Sequence, residues 1–271
     1  MVKVFKGTDH EYYLDGIAKD NLDTAKKVIK KDWDMIFAYD GYEGSGKSTK
    51  AIQDAFYCDP TLNLDRITFT PTEFRRAVMN AKQYQSVVYD EAYTGLSSRA
   101  AMTHVNRALV KMLAEIRQKN LFIFVVMPTF FDLDKYVALW RSRALVHIYT
   151  REKFERGYFT FYNVDRKKQL YVIGKKYYSY SKPKANFFGR FTKTLPIDEQ
   201  KYKQKKRGSL IARERKAEEE EKKREMMGLL FEQVMALGEN IPHRYKMQLL
   251  NMKPATYYRK MKDYKEKDGI M

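Results

Sequence analysis

Residues 41–48, GYEGSGKS, fit the spacing G-x-x-x-x-G-K-[ST] that builds a phosphate-binding loop. The residue types follow from the chemistry. Gly41, Gly44 and Gly46 let the backbone curl so that its N–H groups converge on phosphate oxygens, with Ser45 inside the curl. Lys47 neutralises the distal phosphates, Ser48 offers a hydroxyl to Mg²⁺, and the following helix, with Thr49 in its first turn, adds its positive end. An apolar strand before the loop and a helical segment after it complete the required context.

A second element, SVVYDEAY, brings apolar residues to a pair of acids about 42 residues downstream of the loop. Asp90 is placed to hold a metal through its water shell, and Glu91 to polarise an attacking water. Two acids that merely end a buried strand are the alternative, and the intact phosphate loop upstream favours chemistry.

These groups need a frame, and the chain alternates strand and helix around them. MIFAYD, ITFT, SVVYDE, LFIFVVM and ALVHIYT read as strands; KSTKAIQDAFY, PTEFRRAVMNAKQ, VNRALVKMLAEIRQ and a short LDKYVALW read as helices. This rhythm predicts an α/β fold with a parallel sheet covered on both faces and ligands at the carboxyl ends of the strands. Residues 1–32, with an extended start and a polar helix near 17–31, carry no assigned role. Residues 33–150 form the core. Within 151–200, FERGYFTFYNV and QLYVIGKK read as an appended β-hairpin, and YYSYSKPKANFFGRFTK as a loop. Residues 201–238 read as a charged helix or linker, and 239–271 as a helical module.

Charge sorts the same way. Residues 1–150 hold 21 Lys and Arg against 18 Asp and Glu, while residues 151–271 hold 31 against 16, so the second part carries nearly all of the net +18. Such a field attracts phosphate backbones in nucleic acid or on anionic lipid, and also suits a solvated surface. Lys167, Lys168, Lys175 and Lys176, interleaved with aromatic residues, are candidate DNA contacts; the same rings also suit anchoring on the core. Near the end, PHRYKMQLLN and PATYYRKMKDY, joined by Met252 and Lys253, resemble the helix-turn-helix of resolvases and transposon proteins. In that reading Leu249, Leu250, Met252, Ala255, Tyr258 and Met261 pack inward, and Thr256, Tyr257, Arg259 and Lys260 face DNA. A docked or oligomerising helix pair is the alternative. One cysteine, Cys58, excludes an internal disulfide, four scattered histidines lack zinc-ligand spacing, and no run reaches membrane-spanning length. A soluble, cytoplasmic protein is expected.

With ITFT and its helix between the two nucleotide motifs, the chain resembles the additional-strand, catalytic-glutamate branch of P-loop ATPases. VVYDEAYTGLSSR, the helix ending AEIRQKN, LFIFVVMPT and FFDLDKYVAL resemble the FtsK/HerA superfamily of DNA-pumping ATPases, which includes zonular-occludens-toxin-like phage proteins and viral genome-packaging ATPases. The similarity covers roughly residues 34–150. It implies ATP and Mg²⁺ as ligands, double-stranded DNA as partner and assembly into a homo-oligomeric ring. It further implies an arginine acting in trans, a place that Arg117 holds; Arg141 and Arg143 are the next candidates, and Arg117 also suits a plain helix-end cation. Arg99 and Arg107 are candidates for coupling the site to DNA. Where the family usually carries a glutamine before proline, Met127 and Pro128 stand here, followed by Thr129. The expected function is an ATP-hydrolysing DNA motor in viral or phage genome packaging, with a portal or capsid as partner in the host cytoplasm, or in plasmid transfer. A non-translocating loader or regulator of replication or transposition is one alternative. A zonular-occludens-like morphogenesis ATPase is another.

Overall fold

The computed structural model describes residues 1–90, 110–113, 117–237 and 241–267. The chain forms two compact units, Met1–Lys206 and Arg207–Met271.

In the first unit, β1 (Val2–Val4) and β2 (Tyr12–Leu14) make a small antiparallel pair. The main sheet holds β3 (Met35–Gly41), β4 (Ile67–Thr68), β5 (Ser86–Tyr89), β6 (Phe122–Val126), β7 (Ala144–Tyr149), β8 (Tyr158–Tyr162) and β9 (Phe187–Arg190). Their order is β4-β5-β6-β3-β7-β8-β9. The first five run parallel, and β8 and β9 add antiparallel strands beyond β7. ITFT thus supplies the short β4 at the sheet margin, and the strand that separates β3 from β5 is β6.

Alternation along each central strand divides the core into two layers. Phe37 and Tyr39 of β3 and Phe122, Phe124 and Val126 of β6 pack with Ala51, Ile52 and Ala55 of α2 (Lys47–Cys58) and with α1 (Gly16–Val28). Ile36 and Ala38, with Ile123 and Val125, face the opposite layer, where α3 (Pro71–Asn80) contributes Phe74, Ala77 and Val78. The N-terminal residues left without a role therefore belong to the core: Val4, Tyr12, Leu14, Ala18 and Leu22 are buried in the first layer.

Local signals set the helix starts. Asp15 accepts from the Ala18 N–H, and Thr70 from that of Glu73, with Pro71 at the first helical position. Asn163 accepts from the Arg166 N–H and opens α4 (Val164–Tyr177). The expected hairpin is corrected here: QLYVIGKK lies in α4, not in a strand. Its aromatic and β-branched residues suit a strand, but Lys167, Leu170, Tyr171 and Gly174 are buried at helical spacing, and this tertiary stripe overrides local propensity. The antiparallel neighbours of β8 are β7 and β9, and β9 falls within the segment expected to be loop.

Helix α5 (Glu199–Ala236) starts in the first unit and runs through most of the segment, residues 201–238, expected to be a charged helix or linker. In the second unit, Phe231 and Val234 pack with Leu250 and Tyr257 from the region of α6 (His243–Leu249) and α7 (Pro254–Lys267). The phase of α7 differs from expectation. Tyr257, Met261 and Tyr264 share the inward stripe, and Tyr257 is buried with its hydroxyl 2.8 Å from His243 Nδ1. Leu249 and Tyr258 are exposed.

Candidate phosphate site

The loop after β3 has the backbone that its glycines allow. Gly41, Gly44 and Gly46 take φ values of +137°, +74° and +103°, a region that L side chains rarely adopt. A Cβ at Gly41 would overlap the carbonyl oxygen of Ile148 on neighbouring β7. Gly46 caps α2 without a side-chain hydrogen bond, so the first-turn amides have no intrahelical acceptor and present partial positive charge to the loop.

Within the loop, the N–H and hydroxyl of Ser45 both donate to the Tyr42 carbonyl, at 3.2 and 2.7 Å. Lys47 folds back and donates to the carbonyls of Gly41 at 2.6 Å and Tyr42 at 2.8 Å. Burial lowers its pKa from the ordinary lysine value, opposed by the nearby carboxylates of Asp40, Asp90 and Glu43. Thr49 follows in the first turn of α2, half-buried.

Two wholly buried carboxylates flank this loop. Asp90, just past β5, accepts the Ser48 hydroxyl on Oδ1 at 2.9 Å. Its Oδ2 takes the Tyr202 hydroxyl at 2.7 Å and the Lys206 ammonium at 3.4 Å. Asp40, the residue before Gly41, takes the Phe130 N–H at 2.8 Å, His147 Nδ1 at 2.9 Å and the Tyr180 hydroxyl. Burial, reinforced by Asp40, pushes the Tyr180 phenol well above its ordinary pKa, so it stays a neutral donor. Thr129 Oγ1 lies 3.1 Å from the same hydroxyl.

Lys47, Ser48 and Asp90, which the two sequence motifs contribute, lie together in the fold. Tyr202, Lys206, Asp40, His147 and Tyr180 join them from outside the expected set. Only Asp40, adjoining the loop, had a visible signal. Glu91, Arg99, Arg107 and the Arg117 side chain lie outside the described residues. Arg141 bridges Asp34 and the Leu113 carbonyl, and Arg143 stacks 4.6 Å over Trp33.

The candidate DNA contacts divide. Lys167 is corrected: it is wholly buried and donates to the carbonyls of Ala138 at 2.6 Å and Leu139 at 3.2 Å. Desolvation lowers its pKa to about 7. Lys168 lies 4.2 Å over Trp140, while exposed Lys175 and Lys176 lie over Tyr171 and Tyr177. Tyr257 is likewise corrected, since it fills the small core of the second unit. Arg259 is exposed, and Thr256 and Lys260 are half-exposed.

The loop and Asp90 have the donors to fit a nucleotide polyphosphate with Mg²⁺: amides and an ammonium for the anion, one hydroxyl for the metal and a carboxylate behind it. Among the described residues no group of three or more His, Cys, Asp or Glu side chains is placed to bind a metal. None of their helices is long and apolar enough to cross a membrane. No family model matches the chain, and no curated protein matches it.

Proposed function

We propose that the chain is an ATP-hydrolysing DNA motor of the additional-strand P-loop type. The observation that carries this reading is the 2.9 Å hydrogen bond between Ser48, at the start of the helix after the loop, and Asp90, at the carboxyl end of β5. It joins the two motifs that phosphate and metal chemistry requires, across the intervening β6. The strand order β4-β5-β6-β3-β7 supports the same branch.

In this reading the amides of residues 44–48 and the Lys47 ammonium hold the triphosphate, exchanging the loop carbonyls for phosphate oxygens. Ser48 and Asp90 are the residues that would hold Mg²⁺, which when bound would neutralise charge on the phosphates. Glu91, next along the chain, orients the attacking water and accepts its proton. The basic later part grips the polyanion, with Lys168, Lys175 and Lys176 on α4 and Arg259 and Lys260 on α7 as surface cations. Homo-oligomeric assembly with Arg117 acting on a neighbour's nucleotide completes the proposal; packaging of a genome into a capsid suits it.

The test is ATP hydrolysis by the full chain with and without double-stranded DNA. Magnesium-dependent turnover that duplex stimulates is expected, as is its loss in Lys47→Ala and in Glu91→Gln, the latter with nucleotide binding retained. Turnover indifferent to duplex, in a protein that duplex does not retain, overturns the motor reading.

A further inference from the structure

The start of α5 lies outside both nucleotide motifs, yet it reaches the site. A wholly buried carboxylate needs compensating donors, and among the described residues two of the three side-chain donors to Asp90 come from this helix. Tyr202 and Lys206 are four residues apart, one helical turn, so both project from the same face. Tyr202 is buried against Phe69, with ring centroids 6.0 Å apart. Lys205, the residue before Lys206, donates to the carbonyls of Leu64 at 2.6 Å and Ile67 at 2.7 Å and fastens the helix start to the β4 margin. The Lys206 ammonium is thereby held 3.4 Å from Asp90 Oδ2, with its side chain 29% exposed. It is also near Lys47: after burial, its charge is among the causes that lower the Lys47 pKa.

We propose that Lys206 is a resident counter-ion of the phosphate site that competes with Mg²⁺ for Asp90, while Tyr202 fixes the orientation of that carboxylate. The proposal rests on the nucleotide reading above and adds to it a residue beyond the two motifs. Magnesium carries two charges and a stiff octahedral water shell, whereas an ammonium carries one charge and three donors on a flexible stem. Both seek the same carboxylate, and like charges at this range repel. With magnesium chelated, Lys206 still offers a cation to Asp90 and to the polyphosphate. With magnesium present, Lys206 opposes its entry. Both effects mute the dependence of nucleotide binding on magnesium, and removing the ammonium should restore it.

The test is equilibrium binding of a fluorescent ATP analogue to the full chain, in magnesium and in chelator, for the wild type, Lys206→Ala, Lys206→Gln, Lys206→Arg and Tyr202→Phe. The quantity read is the ratio of the two Kd values, chelator over magnesium. Lys206→Ala should raise this ratio by about tenfold or more, a change of about 1.4 kcal/mol. Lys206→Gln should follow it and Lys206→Arg should keep the wild-type ratio. Should the Ala variant lose its circular dichroism signal, the Gln and Arg pair decides alone. An unchanged ratio in the neutral variants, or equal weakening in both media, overturns the proposal. Absence of binding by the wild type in both media overturns the nucleotide reading as well, a distinct result.

Discussion

The imidazole of His147 lies face to face with the phenol ring of Tyr180, centroids 3.7 Å apart and planes 13° apart. Both side chains converge on Asp40, one residue before the phosphate loop. A buried carboxylate held from β7, from the 180 region and by a backbone amide fixes the point at which β3 turns into the loop. Tyr180→Phe removes one donor and leaves Asp40 under-satisfied, so the chain should lose about 1–3 kcal/mol in urea unfolding. A loss well under this range would mean that water or a neighbour replaces the phenol.

Gly41→Ala should be more damaging than a surface change. The added methyl meets the Ile148 carbonyl in a backbone conformation that alanine avoids, and relief requires β3 and β7 to part at their Gly41–Ile148 register. Expected are a lowered Tm and weakened nucleotide binding, checked by thermal unfolding and by titration with the fluorescent analogue. Wild-type values for both would contradict the geometry.

Lys167 sets a pH dependence. Its pKa is about 7 in the folded chain and 10.5 ordinarily, so between these values the unfolded chain binds more protons and stability rises with pH. From about pH 7 to about pH 9, below the ordinary titration range of tyrosine, the wild type should gain stability. Lys167→Met should flatten that rise in urea unfolding measured across the window. An identical slope in the two proteins would remove Lys167 as its source.

On the second unit, Arg259→Glu combined with Lys260→Glu keeps Tyr257 and reverses two charges; because Lys260 lies 5.7 Å over the Phe231 ring of the same core, unchanged circular dichroism is checked alongside. Duplex affinity should fall, and the slope of log affinity against log salt should shrink by about two if both cations meet phosphates. Unchanged retention on DNA would remove α7 from the interface.

What could be read from the sequence follows from how locally each feature is encoded. The curl of residues 41–48 was legible because its positive-φ positions dictate glycine within eight residues. The central strands were legible as apolar runs because both sheet faces are covered. Helix α4 was not, because Tyr171, Val172 and Ile173 favour a strand locally and only the docking of Lys167, Leu170 and Gly174 decides otherwise. The face of α7 turned on helical phase, where the adjacent Tyr257 and Tyr258 are buried and exposed respectively. Tyr202 and Lys206 had no local signature at all: they meet Asp90 across 112 and 116 residues of chain.

The hydrogen bonds inside residues 41–47 have a thermodynamic corollary. Ser45 and Lys47 tie the curl to its own carbonyls, and the Gly41 amide ties it to Pro128. The mould is thus cast when the protein folds, and an incoming anion has little backbone left to freeze. Association would consist largely of an exchange of acceptors around one ammonium, an enthalpic trade with a small ordering cost, which calorimetry would register as heat.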